Sequence, residues 1–140
     1  MKSFNEFVSI KESVFTMGKE DTFKMAQAAA MKSTALKQAL NITQQIHEIL
    51  QKFPGTMLAT LREYNGKTQF ALMSLIKDSS KAKDIYAEYG NPLRLAERMS
   101  KQADAMTPHG FDNIPNGERM VVDLMRLSAK LLSVLRDVLA

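Results

Sequence analysis

Apolar residues recur at spacings of three and four along most of the chain, a pattern that predicts helices rather than strands. The clearest case is the C-terminal stretch from about Glu118 to Leu139. There Val121, Leu124, Met125, Ser128, Leu131, Leu132, Leu135 and Val138 form one stripe, and Arg119, Asp123, Arg126, Lys130 and Asp137 form the opposite face. A longer helix is expected from about Asp21 to Lys52, capped at its positive end by Asp21 or Glu20. Its first half holds the alanine-rich run 26–30; its second half carries Ala35, Ala39, Ile42, Ile46, Ile49 and Phe53 as a coiled-coil-like seam. Pro54-Gly55 ends it.

The middle of the chain allows two readings. Asn65-Gly66 favours a type I′ hairpin turn between strands at 56–64 and 67–76, or else the C-terminal cap of one helix before the next. Ala, Leu, Met, Lys and Gln dominate here and β-branched residues are few, which favours two helices. Met57, Leu58, Leu61 and Tyr64 would line one, and Leu72, Leu75, Ile76 and Ser79 the next. The second pattern runs on from Phe70 to Tyr89 and stops at Gly90. Asn91-Pro92 opens a further helix with Leu93, Ala96, Met99 and Ala103 facing inward, and two prolines and two glycines make 107–117 an ordered loop. A short amphipathic stretch over 3–15, with Phe4, Phe7, Val8 and Val14 near one face, precedes a break at 17–19. The expected fold class is all-α: a compact bundle of four to six helices with one long helix near the N-terminus. Residues 13–140 would be a single helical domain, and residues 1–12 a docking segment.

Composition narrows the functions open to such a bundle. The 140 residues include no cysteine, which excludes disulfides, thiolate chemistry and cysteine-ligated zinc. No apolar run approaches the ~20 residues needed to span a bilayer, and Asn5 and Glu6 interrupt any secretion signal, so no membrane partner is expected. These features point to the cytoplasm or to a particle assembled there. A net charge of +4 is compatible with a nucleic-acid or acidic-protein partner.

Candidate chemistry is sparse. His47 and His109 lack ligand-spaced partners, so no metal is assigned, and His47 reads as an ordinary packed or surface histidine. His109 sits in the Pro-His-Gly loop, where sites are more common, yet no nucleophile is marked for it. Glu20-Asp21, and Asp112 with Glu118, look like caps and loop charges rather than acid–base pairs. With no glycine-rich phosphate loop either, neither an enzyme nor a cofactor is expected. Two basic rows could contact phosphates or an acidic partner: Lys77, Lys81 and Lys83 on one helix, and Arg94, Arg98 and Lys101 on the next. Packed antiparallel, those helices would merge the rows into one patch; the alternative is a solvated face diluted by Asp78, Asp84, Glu97 and Asp104. The ten methionines read as core filler.

The N-terminus carries the distinctive pattern. Met1-Lys2-Ser3-Phe4-Asn5-Glu6-Phe7-Val8, followed by Ile10-Lys11-Glu12, resembles the capsid-targeting segment of internal head proteins of T-even-type bacteriophages. Those segments look like Met-Lys-Thr-Tyr-Gln-Glu-Phe-Ile and end at an (Ile/Leu)-x-Glu site cut by the prohead protease; here that site lies two residues later. The resemblance covers under a tenth of the chain and implies a targeting face of Phe4, Glu6, Phe7, Val8 and Ile10, with cleavage between Glu12 and Ser13. Such a cut removes two lysines and two glutamates, so the net charge stays at +4. The amphipathic segment suits a groove on a helical scaffold. What the resemblance implies is a non-enzymatic head-associated protein in the virion, directed to a capsid or scaffold protein and binding DNA or a protein. Two other readings stand beside it. One is a helical virion subunit that forms a homo-oligomer; the other is a small inhibitor that binds a host defence enzyme in the host cytoplasm.

Overall fold

The long helix supplies the frame on which the other elements pack. The computed structural model describes residues 19–140, with side chains from Phe23 onward, and the expectations for 1–18 lie outside that range. Among the described residues there are five α-helices and no strand: α1 (Lys19–Gln51), α2 (Ala59–Lys77), α3 (Ala82–Tyr89), α4 (Pro92–Asp104) and α5 (Gly117–Leu139). The fold is an all-α bundle, as its patterning predicts. α1 packs on α2 and α5, and α4 packs on the same two helices from the other side. Their inward faces form one core that includes Ile42, Ile46, Leu50, Leu72, Met99, Val121, Leu124, Leu131 and Leu135. The short α3 lies mainly against α2.

On α1 the buried residues are Leu36, Ala39, Ile42, Thr43, Ile46, Leu50 and, just past its end, Phe53. Ala35 and Ile49 are only half-buried. The expected seam is thus rotated by about one residue, because the true face must meet α2 and α5 together and the 36-39-43-46-50-53 spacing does so. The helix starts at Lys19, so Glu20 and Asp21 lie in its first turn instead of capping it. At about 1.5 Å per residue, its 33 residues outrun the 19 of α2 and the 23 of α5. From Phe23 to Thr34 every side chain but Met25 and Ser33 is exposed; Phe23 is 64% and Met31 71% accessible. Among the described residues, the first buried apolar side chain is Leu36.

The α1–α2 corner turns on one side chain. Arg62 donates through Nη2 to the carbonyls of Leu50 (2.6 Å) and Phe53 (3.1 Å), and through Nε to that of Met57 (2.9 Å). A guanidinium at the negative end of a helix complements the dipole, and here it adds a second donor to the Leu50 carbonyl, which already accepts from Phe53 N–H (3.2 Å). It also pins a turn that contains Leu58 at φ 61°, a left-handed conformation costing on the order of 1–2 kcal/mol for a branched side chain. About two turns up α1 from Leu50, Asn65 Nδ2 donates to the Thr43 carbonyl (3.0 Å), so the helices run antiparallel. Asn65 is buried, and its Oδ1 meets no donor among the described residues.

Asn65-Gly66 is therefore neither a turn nor a cap: α2 continues through both, correcting the expectation of two helices there. Tertiary packing overrides the local signal because Asn65 has a buried partner across the interface. The expected helix from Phe70 to Tyr89 breaks instead at Asp78. Its Oδ1 accepts from Ser80 N–H (3.1 Å) and Ser80 Oγ–H (2.5 Å), competing with the helical ladder and starting a 3₁₀ turn, Ser79–Lys81. α4 begins as expected, with Asn91 Oδ1 accepting from Leu93 N–H (2.9 Å) ahead of Pro92. The loop before α5 includes a 3₁₀ turn, Pro108–Phe111, so it is more regular than its prolines and glycines suggest. Phe111 meets Phe53 edge to face at 5.8 Å, tying this loop to the end of α1. The methionines divide: Met99 and Met120 fill the core, while Met31, Met57 and Met73 are exposed.

Two glycines invite opposite outcomes. A Cβ at Gly66 meets nothing within 4 Å, whereas one at Gly117 would fall 2.0 Å from the Phe111 carbonyl oxygen. In urea unfolding, Gly66→Ala should gain about 1 kcal/mol, and Gly117→Ala should lose more than that gain. In the same series, Arg62→Ala should lose about 2 kcal/mol, with Arg62→Lys recovering only part because an ammonium lacks the planar fork.

Candidate functional site

Two regions collect the polar side chains that the sequence singles out. The first surrounds the loop before α5. Pro108 sits at the first position of the 3₁₀ turn, where its lack of an N–H costs nothing. Gly110 N–H then bonds the Thr107 carbonyl (2.9 Å), Asp112 N–H that of His109 (3.3 Å), Ile114 N–H that of Phe111 (3.1 Å) and Gly117 N–H that of Ile114 (2.8 Å). This chain of tight turns folds 108–116 back over the start of α5. His109 Nδ1 comes within 3.4 Å of Glu118 Oε1 and 3.9 Å of Asp112 Oδ2. One ligand atom from each of the three lies within 4.8 Å of the others. All three side chains are exposed, His109 to 86%.

Sequence spacing gives His109 no ligand-spaced partner and reads Asp112 with Glu118 as cap and loop charges. The structure brings all three together. The His109/Asp112 pair, three residues apart, was a readable signal. Glu118 was not, because its approach depends on the turn at Ile114–Gly117. His47 is an exposed residue on α1 and joins no such group among the described residues.

The second region is basic. Lys77, Lys81 and Lys83 do not share a helix: Lys77 ends α2, Lys81 ends the 3₁₀ turn and Lys83 lies in the first turn of α3. All are exposed. Lys77 and Lys81 open onto a cleft of ≈ 700 Å³ between α2 and α3, with Asp84, Glu88, Ile85 and Tyr89 also on its wall. That lining is mixed in charge, which suits a zwitterionic surface better than a phosphate cradle. Arg94, Arg98 and Lys101 form an exposed row on α4, with Arg94 paired to Glu97 at 3.1 Å. The expected merger of the two rows required their helices to pack on each other; α3 packs instead on α2, and α4 on α2 and α5. The cleavage residues Glu12 and Ser13 and the targeting residues Phe4, Glu6, Phe7, Val8 and Ile10 lie outside the described residues.

Beside the cleft, Tyr89 stacks on the exposed Phe70 at 5.7 Å with the ring planes 20° apart, holding α3 to α2. Tyr86, on the same short helix, packs against the core, and burial raises its phenol above the ordinary value. No protein-family model, curated protein or solved structure matches the chain.

The Tyr86 shift has a defined sign. Above about pH 10 the unfolded chain ionises this phenol while the folded chain keeps it neutral, so stability present at lower pH is lost as pH rises towards the folded value. Chemical unfolding followed from neutral to strongly alkaline pH should show Tyr86→Phe losing less free energy than the parent protein.

Proposed function

We propose that the chain is a non-enzymatic phage head-associated protein, directed to a capsid or scaffold protein by residues 1–12 and acting afterwards by binding. The observation that carries this reading is the Met1–Val8 pattern followed by Ile10-Lys11-Glu12. The fold supports it in one respect: the first buried apolar side chain described is Leu36, more than twenty residues past Glu12, so a cut at Glu12-Ser13 removes none of the described core residues. Between the two, the exposed first half of α1 separates the segment from the packed bundle in sequence. The virion, or the host cytoplasm after delivery, is the location this reading implies.

Binding in this reading falls to outward faces. Arg98 and Lys101 on α4 are exposed and have no carboxylate partner among the described residues, which fits contacts with DNA phosphates or an acidic protein. A second reading rests on Phe23 and Met31, exposed on the first half of α1. Large apolar side chains in that position suit a homo-oligomeric virion subunit. Inhibition of a host enzyme stays in the same non-catalytic class, with a host protein as partner.

Intact mass after co-expression with a prohead protease separates these readings. A product beginning at Ser13 is expected, and Glu12→Gln should block it. An uncut chain that light scattering shows to be a discrete oligomer would overturn the targeting role in favour of the subunit. If DNA is the partner, replacing Arg94, Arg98 and Lys101 by Gln should flatten the salt dependence of binding, by about 0.9 in log–log slope per lost phosphate contact.

A further inference from the structure

We propose that His109, Asp112 and Glu118 form a binding site for a divalent transition-metal ion of the zinc class. The three side chains converge: two carboxylate oxygens approach the same imidazole nitrogen, Nδ1, at 3.4 and 3.9 Å. Both distances exceed the roughly 2.7–3.2 Å of an N–H···O hydrogen bond. The shorter matches the separation of two ligand atoms on one ion, and the longer, like the 4.8 Å span of the set, closes to it with a small side-chain rotation. With metal–ligand bonds of about 2.0–2.2 Å in a tetrahedral site, neighbouring ligand atoms stand roughly 3.3–3.6 Å apart.

Charge points the same way. No lysine or arginine among the described residues pairs with Asp112 or Glu118; His109 is the partner each carboxylate has. One Nδ1 proton could serve only one of two carboxylates, whereas a cation placed between them serves both. An imidazole with two carboxylates favours zinc and its neighbours over magnesium or calcium, which take oxygen ligands. Three protein ligands leave a fourth position for water or for a group from a binding partner.

The backbone holds the ligands in place ahead of the ion. Consecutive turns from Thr107 to Gly117 are closed by main-chain hydrogen bonds. Phe111 is anchored on Phe53, Ile114 is buried, and Gly117 lies so near the Phe111 carbonyl that no side chain fits. Glu118 also balances the positive end of α5, a role that needs no metal. His109 has no part in that role, and this makes it the discriminating position.

The test is calorimetric titration of the full chain with zinc chloride, then with magnesium chloride. One zinc per chain is expected, with magnesium at least tenfold weaker. His109→Ala and Glu118→Gln should each weaken zinc at least tenfold, and His47→Ala should leave it unchanged. The three substituted side chains are exposed, so matching circular dichroism melts should show the variants folded. Absence of zinc binding at millimolar metal, or binding that survives His109→Ala, would overturn the site. Loss of binding in His47→Ala alone would overturn it equally.

Discussion

A guanidinium set against the carbonyls at the end of α1 decides where the rest of the bundle sits. A helix that stops inside a protein leaves acceptors without donors, and the chain must find partners for them or give them to water. From the next helix Arg62 donates to the Leu50 and Phe53 carbonyls, the first of which also accepts from Phe53 N–H, and makes a third bond to the turn between. The end of one helix and the start of the next are thereby fixed in one contact. Register follows: with Arg62 beneath Leu50, Asn65 falls opposite Thr43, and Leu61, Thr68, Leu72 and Leu75 turn inward along the same face. α4 then packs on a surface that this corner has already oriented.

How far the structure was legible in the residues depended on whether a local preference had a rival. Helix class, the stop at Pro54-Gly55, the Asn91-Pro92 start and the α5 stripe were all readable, since periodicity and capping agreed there. The middle was harder. Asn-Gly is a strong turn signal, and only a buried acceptor 22 residues earlier in the chain converts it to helix interior. Asp78 shows the opposite case: periodicity continues through it, but a short carboxylate that captures Ser80 ends the helix locally. On α1, Ala35 and Ile49 yield burial to Leu36 and Leu50, a rotation that depends on two flanking helices at once.

The polar clusters divide along the same line. Arg94, Arg98 and Lys101 keep the single face their spacing implied, being held within one helix. Lys77, Lys81 and Lys83 scatter because a break intervenes. His109 and Asp112 share a turn and could be paired on paper, whereas Glu118 joins them only through a close backbone approach at Gly117 that no spacing rule describes. Chemistry confined to one element was legible, and chemistry assembled between elements was not.

The overhanging half of α1 has a thermodynamic consequence for whatever grips it. Starting a helix is unfavourable because several residues must be fixed before the first hydrogen bond forms. Here that nucleus exists already, since the second half of α1 is locked in the core, and the alanine-rich run only propagates it. A partner that closes on Phe23 and Met31 meets a rod already formed, so little chain entropy is lost on association. An exposed surface of ordinary size can then yield tighter binding than the same residues would in a disordered arm.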